Sequence, residues 1–158
     1  MGASPIPPGF RTVTPHLTVK GCAAALEFYK QAFGAEEHFR MPGPGGMLMH
    51  SEFKIGDSIL MAADEFDMPG MPVKAPTTAG CATSTVALYV TDCDAWFARA
   101  TKAGAKVVMP PTDMFWGDRY CTLVDPFGVV WSIATHKEDV GPEEMQKRMA
   151  QMCGPGGH

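Results

Sequence analysis

The chain has 158 residues, of which 46% are hydrophobic and 19% are charged, a length and composition typical of one globular domain. Its formal net charge of −4 gives no basic field for nucleic acid, and no segment reaches the roughly 18 apolar residues that span a bilayer. An odd number of cysteines without Cys-x-x-Cys spacing indicates reduced thiols in the cytoplasm: Cys22, Cys81, Cys93, Cys121 and Cys153.

The chain repeats itself. Residues 17–26 align with residues 88–97 at a constant separation of 71, and after one residue of slippage Gly34 aligns with Gly104. Each copy starts with an alternating run typical of a strand, continues with helical spacing, and ends with three short strand-like runs. Two copies are too few for a solenoid, so the pattern predicts an α+β fold made of two βαβββ modules.

The predicted elements follow in chain order. The first copy has a strand at 16–19, a helix that ends at Gly34, and strands at 37–41, 47–55 and 58–62. The second copy has a strand at 86–90, a helix capped by Asp92 or Asp94 that ends at Gly104, and strands at 105–109, 119–124 and 129–134. A tight structural turn, Asp125-Pro126-Phe127-Gly128, precedes the last strand.

The remaining segments flank these copies. Residues 1–11 are predicted to be a flexible N-terminus, residues 12–139 one domain, and residues 140–158 a C-terminal helix and tail. Within the domain, modules 12–67 and 82–139 are joined by residues 68–81, a linker without periodicity. The predicted terminal helix spans residues 141–152, and its methionine stripe could pack on this subunit or on a partner.

Several motifs resemble one family. They are Thr14-Pro15-His16-Leu17-Thr18-Val19, Ala25-Leu26-Glu27-Phe28-Tyr29-Lys30, Ala32-Phe33-Gly34-Ala35, Phe115-Trp116-Gly117-Asp118-Arg119-Tyr120, and Val124-Asp125-Pro126-Phe127-Gly128 through Trp131-Ser132-Ile133-Ala134-Thr135-His136. Together they resemble the vicinal oxygen chelate superfamily of glyoxalases, bleomycin-resistance proteins and extradiol dioxygenases, and most of all its PhnB-like branch. The resemblance implies an open, eight-stranded, barrel-like cleft between the modules, and a homodimer.

The resemblance also implies a divalent ion, held in metal-using members by the first and last strands of each module. The equivalent positions here are Thr14, Leu60 or Met61, Thr85 and Ser132, which are weak donors or none for such an ion. We therefore expect a metal-free protein without a cofactor. The alternative is a displaced metal site at His16, His50 and Glu52, or His50 and Glu52 as a hydrogen-bonded or acid–base pair.

The segment from Phe115 to Tyr120 is the densest chemical signal. Its candidate ligand-binding residues are Phe115, Trp116, Asp118, Arg119 and Tyr120, alongside His16, His50 and Glu52. Aromatic rings can sandwich a planar ligand, and Arg119 can bind a carboxylate, phosphate or enolate. The alternative is a structural hairpin in which Asp118 pairs with Arg119 or caps the backbone. His136 is predicted to be a solvated strand end.

Three functions remain open at this point. The first is a metal-free binding protein that holds an aromatic or polar small molecule in the cleft. The second is an enzyme of the lyase, isomerase or dioxygenase type that uses the displaced metal site or the His50/Glu52 pair. The third is a structural dimer module in which side chains fill and close the cleft.

Overall fold

The structure is a computed structural model that describes residues 4–70 and 72–152. Cys153 lies outside the described residues, as do the ends of the predicted flanking segments, residues 1–3 and 153–158, and linker residue Met71. Within the described part, two modules follow one another and a helix follows the second. None of the helices described is long and apolar enough to cross a membrane.

Each module has the order strand, helix, three strands. The first contains β1 (His16–Val19), α1 (Cys22–Phe33), β2 (Glu36–Pro42), β3 (Leu48–Ile55) and β4 (Ser58–Asp64). After the short helix α2 (Pro76–Ala79), the second contains β5 (Thr85–Tyr89), α3 (Cys93–Ala103), β6 (Lys106–Asp113), β7 (Asp118–Val124) and β8 (Val130–His136). Helix α4 (Pro142–Met152) follows. The predicted α+β class and the two βαβββ modules are confirmed.

The two sheets have the same topology. Among the described residues they are four-stranded, with strand orders β1-β4-β3-β2 and β5-β8-β7-β6, and their first strands pair in parallel with β4 and β8. No strand of one sheet pairs with a strand of the other in this part of the chain, so the sheets do not close into a barrel. Strands β1 and β5 are therefore edge strands, each with one free backbone edge.

One hydrophobic core joins the two modules. Helix α1 packs against α3, and rings of α1 reach β8: the ring centroids of Phe33 and Trp131 are 4.5 Å apart, and those of Tyr29 and Trp131 are 5.3 Å apart. All three side chains are buried. Since burial of one such ring contributes about 3 kcal/mol, the modules stabilise each other.

The start of each module's helix is held by the end of its last strand. Glycine at 21 offers α1 no capping side chain, and the carboxylate of Asp64 accepts hydrogen bonds from the amides of Gly21 and Cys22 at 2.7 and 2.9 Å. In the second module, Thr135 Oγ1 accepts from the amide of Cys93 at 2.8 Å. These pairs are 71 residues apart in the chain, the same separation as in the sequence repeat.

Three details differ from the sequence prediction. Strand β6 continues to Asp113 through two prolines, which it tolerates because it is an edge strand with register shifts. The linker contains the single turn α2, because Glu65 accepts hydrogen bonds from the Ala75 amide and the Thr78 hydroxyl at 2.9 and 2.5 Å. Thr14, predicted to lie on the first strand, precedes β1, and its hydroxyl donates a hydrogen bond to the Arg11 carbonyl.

Candidate functional site

Each sheet has one face toward the helices and one open face, which we define as the face opposite its helix. Ser51 lies on the helix side of sheet one, because its hydroxyl is 3.7 Å from Sγ of Cys22 in α1. Arg119 lies on the helix side of sheet two, because it binds Asp94 in α3. Since successive strand residues point to opposite faces, the neighbours of Ser51 and Arg119 belong to the open faces.

The open face of sheet one brings together three of the predicted site residues. His50 Nε2 is 3.3 Å from Glu52 Oε1, and the rings of His16 and His50 meet edge to face with centroids 5.8 Å apart. Phe39, in the neighbouring strand, lies 6.2 Å from the His50 ring and is 47% exposed. This face therefore combines two imidazoles, one carboxylate and an uncovered aromatic ring. Burial and the nearby His50 lower the pKa of His16, which keeps this imidazole neutral at pH 7.

The open face of sheet two is organised around Asp118, a carboxylate that is only 4% exposed. One of its oxygens accepts hydrogen bonds from the Tyr89 hydroxyl at 2.9 Å and the Trp116 indole at 3.0 Å. The other oxygen is 2.8 Å from Nδ1 of His136. Three donors therefore satisfy this buried charge, and two aromatic rings are fixed in place by it.

Two further aromatic rings pack edge to face against Trp116. The ring of Trp116 meets Phe115 with centroids 5.0 Å apart at an interplanar angle of 85°, and meets Tyr120 at 5.7 Å and 77°. We name Tyr89, Phe115, Trp116 and Tyr120 the aromatic cluster. Tyr89 is its most accessible member, 71% exposed.

Arg119 does not join this cluster. Its guanidinium binds Asp94 through two hydrogen bonds of 2.9 and 2.8 Å and contacts Asp113 at 3.3 Å, all on the helix side. These carboxylates raise the pKa of Arg119. The predicted pairing of Asp118 with Arg119 is wrong, because adjacent strand residues face opposite ways. The alternation of side chains along a strand is the sequence signal that places these two residues on opposite faces.

Two residues that bond to Asp118 were not predicted from the sequence, His136 and Tyr89. His136, predicted to be a solvated strand end, bonds to buried Asp118 and to exposed Asp139, and these hydrogen bonds raise its pKa. Burial acts to raise the pKa of Asp118, but the hydrogen bonds from His136, Tyr89 and Trp116 outweigh it and lower that pKa. Tyr89 alternates with Leu88 in β5, and that alternation could have placed it on the open face.

A cleft of about 1060 Å³ lies between the modules beside β5. Tyr89 and His136 line it from the second module, and the turn between β3 and β4 lines it from the first, with Arg11 and Val13 from the segment before β1. An open cavity of this size argues against a structural dimer module in which side chains fill and close the cleft. Within the described residues, no hydrogen bond or ring contact joins the aromatic cluster to the His50 and Glu52 pair.

The side chains do not fit a divalent ion at the family positions. Leu60 points into the core with 3% exposure, so the open-face position of β4 is Met61, which is the register partner of His16. The matching pair in the second module is Ala87 and Ser132. One imidazole, one thioether and one hydroxyl make a poor donor set, and the described residues contain no group of three or more His, Cys, Asp or Glu placed to hold a metal.

The cysteines divide into buried and exposed thiols. Cys22, Cys93 and Cys121 are buried, and burial raises the pKa of Cys22 to about 11 and that of Cys121 to about 12. Thiols held protonated in this way are poor nucleophiles. Cys81 is exposed and lines a second cavity of about 460 Å³ between the linker and β1, together with His16 and Thr18.

Comparison with known proteins identifies the family. The model of the Glyoxalase/Bleomycin resistance protein/Dioxygenase superfamily matches residues 11–133, and the chain belongs to that superfamily. An uncharacterised protein from Mycobacterium bovis is 42% identical over 139 residues, covering 87% of this chain and 91% of that one.

Solved structures agree on the fold. The crystal structure of TioX from Micromonospora sp. ML1 is similar with a TM-score of 0.65 and 26% identity, covering 80% of this chain and 98% of that one. A PhnB protein from Bacillus cereus has a TM-score of 0.60 at 15% identity, covering 79% and 99%, a similarity that shows the fold alone.

Proposed function

We propose that this protein binds an aromatic or polar small molecule, without a metal ion, in a cleft built by two protomers of a homodimer. The observation that carries the proposal is the aromatic cluster around Asp118. A buried carboxylate fixes two rings on a face that the rest of the chain leaves uncovered. Rings fixed in advance lose little entropy when a ligand stacks on them.

The homodimer follows from what each chain leaves unpaired. Strands β1 and β5 have free edges, and the open faces expose Phe39, Met41 and Tyr89 at 47%, 43% and 71%. In a dimer with one twofold axis, sheet one of each protomer would lie opposite sheet two of the other. Both copies of these edges and side chains would then be covered. Each cleft would then combine the His50 and Glu52 pair of one protomer with the aromatic cluster of its partner.

The binding proposal is tested with a thermal-shift screen of metabolites and aromatic compounds. Ligands that bind the folded state raise the melting temperature, and Trp116→Ala should abolish that increase. Arg119→Gln is the matched control, since it alters the adjacent residue on the opposite face. A screen in which metal ions alone shift the melting temperature contradicts the proposal.

A shared cleft is tested by mixing two defective variants. Trp116→Ala damages only sheet two and Glu52→Gln only sheet one, so neither homodimer has an intact cleft. After subunits exchange, half of the dimers are mixed and each regains one intact cleft, so binding of a screen hit returns to roughly a quarter of the sites. If each cleft is formed within one chain, the mixture binds no better than its components. A monomeric mass in light scattering also contradicts the dimer.

The metal-free part of the proposal has its own measurement. Protein purified without a His tag should contain far less than one equivalent of zinc, manganese or iron by mass spectrometry. The support is that the four family positions, His16, Met61, Ala87 and Ser132, supply only one imidazole, one thioether and one hydroxyl. A stoichiometric metal content overturns it.

One observation favours an enzyme as the second candidate. The His50 and Glu52 side chains lie within hydrogen-bond distance on the open face, as an acid–base pair acting on a carbonyl compound requires. If such a reaction is found, the double variant His50→Ala/Glu52→Ala should lose it. Turnover that persists in the double variant excludes this pair as the catalyst.

We also propose that residues 12–139 form the ligand-binding domain and that the protein is cytoplasmic. The support for the location is that Cys22, Cys81, Cys93 and Cys121 are free thiols, as a reducing compartment maintains them. Cell fractionation of the tagged protein tests this location, and recovery with secreted proteins contradicts it.

A further inference from the structure

We infer that the aromatic cluster around Asp118 selects an organic cation, an ammonium or guanidinium group carried by the small molecule of the proposed function. The inference rests on that function and names the class of its ligand. It reverses the expectation from Arg119, whose guanidinium would have selected an anion. With Arg119 on the helix side, the charged groups at this face are the carboxylates of Asp118 and Asp139 and the His136 imidazole between them.

The planes of the rings around Trp116 are close to perpendicular. Phe115 and Tyr120 each meet Trp116 edge to face, so aromatic planes stand at right angles around one corner of the sheet. The face of an aromatic ring carries negative electrostatic potential, and cations lie over such faces within about 6 Å of the centroid. Perpendicular rings present such faces from more than one direction.

Asp118 strengthens the negative electrostatic potential of the ring faces. Its carboxylate accepts the Tyr89 hydroxyl and the Trp116 indole N–H, so electron density on both rings is raised by donation to a negative group. With 4% exposure, the carboxylate is too deep for direct contact and acts through the rings. Asp118 is therefore a positioning and electrostatic residue for the cluster.

The other charges near the cleft do not reverse this preference. Arg11 and Asp57 line the cavity beside β5 with opposite charges. On sheet one, which faces the cluster in the proposed homodimer, Glu52 is partly exposed and, among the described residues, pairs with His50 alone. Burial and the adjacent His50 lower the pKa of His16 and keep it uncharged. In the proposed homodimer, a ligand between the sheets would thus lie between the Glu52 carboxylate on one side and the rings bonded to Asp118 on the other.

Protonated His136 competes with such a ligand because it is the cation bonded directly to Asp118. It lies between Asp118 on β7 and Asp139 in the segment after β8. A bound cation repels the imidazolium, so cation binding should strengthen as the pH rises and His136 loses its proton. A neutral ligand should show no such dependence.

The test uses three compounds with the same phenyl ring: phenyltrimethylammonium, acetophenone and benzoate. Binding to the intact homodimer is followed by the indole N–H resonance of Trp116 in two-dimensional NMR, assigned with Trp116→Phe. We expect phenyltrimethylammonium to bind about tenfold more tightly than acetophenone, as a partly desolvated cation–π contact predicts, and benzoate to be weakest. The affinity of phenyltrimethylammonium should increase from pH 6 to pH 8.

Two variants separate charge from structure. Asp118→Asn keeps one oxygen that can accept from both ring donors but removes the charge, so it should weaken binding of phenyltrimethylammonium and leave that of acetophenone unchanged. Arg119→Gln should leave all three affinities within about twofold, since its ion pairs are on the other face. An equal loss of both ligands in Asp118→Asn overturns the electrostatic role.

The other outcomes are decisive in the same way. If benzoate binds as tightly as phenyltrimethylammonium, the cation preference is overturned. If Trp116→Ala also abolishes that benzoate binding, the proposed function still stands. No binding by any of the three compounds also overturns the inference, because it requires the cluster itself to hold a cation. The proposed function fails separately, when the broad screen finds no ligand that depends on Trp116.

Discussion

At the scale of single residues, the fold controls the protonation of His136. Hydrogen bonds to Asp118 and Asp139 raise its pKa in the folded state. The stabilisation is therefore complete below the unfolded pKa of about 6.5 and is lost as the pH rises through the raised folded pKa. We expect His136→Gln to reduce the pH dependence of the free energy of unfolding in this window, measured by urea denaturation. Identical pH profiles for the two proteins contradict this.

Gly117 is the second residue whose role is specific. It has φ of 100°, and a Cβ placed there would collide with the backbone carbonyl oxygen of Glu138. The Gly117 carbonyl accepts a hydrogen bond of 3.0 Å from the Glu138 amide, which holds the two backbones close together. We expect Gly117→Ala to destabilise the fold by about 3 kcal/mol, since both strain and backbone displacement are required. Gly45→Ala, at φ of 67° with open space around it, should cost only about 1 kcal/mol. Equal losses of unfolding free energy contradict the steric argument.

At the scale of elements, Asp64 connects three parts of module one. Besides the first amides of α1, its second oxygen accepts the Leu48 amide at 2.7 Å, and so fixes the start of β3. Asp64→Ala leaves these donors buried without partners and should lower the free energy of unfolding by about 3 kcal/mol in chemical denaturation. Asp57→Ala, on an exposed turn, is the control and should change it by less than about 0.5 kcal/mol.

The same elements show what the sequence could reveal. Local signals were sufficient for the repeat, for the glycine that ends α1 and for Asp92, whose side chain caps α3 as expected. Asp64 could not be foreseen as a cap because it lies 42 residues from Cys22 in the chain. The partners of Asp118 likewise come from β5, the β6–β7 turn and β8, and only the folded sheet brings these together.

At the scale of the whole molecule, the shared core predicts a single folding unit. Tyr29 and Phe33 of module one are buried against Trp131 of module two. A fragment of residues 12–67 would expose these rings and should lack a cooperative thermal transition by circular dichroism, while residues 12–139 should melt in one step. A cooperative transition of the short fragment contradicts this dependence.

The exposed thiol of Cys81 is a site at which the protein can be labelled selectively. Because burial keeps Cys22, Cys93 and Cys121 protonated and shielded, a maleimide dye should attach to Cys81 alone among these four, once Cys153 is replaced by serine. The dye would stand over the cavity next to His16, at the margin of sheet one. Its emission would thus report occupancy of that sheet directly, with no substitution in either open face.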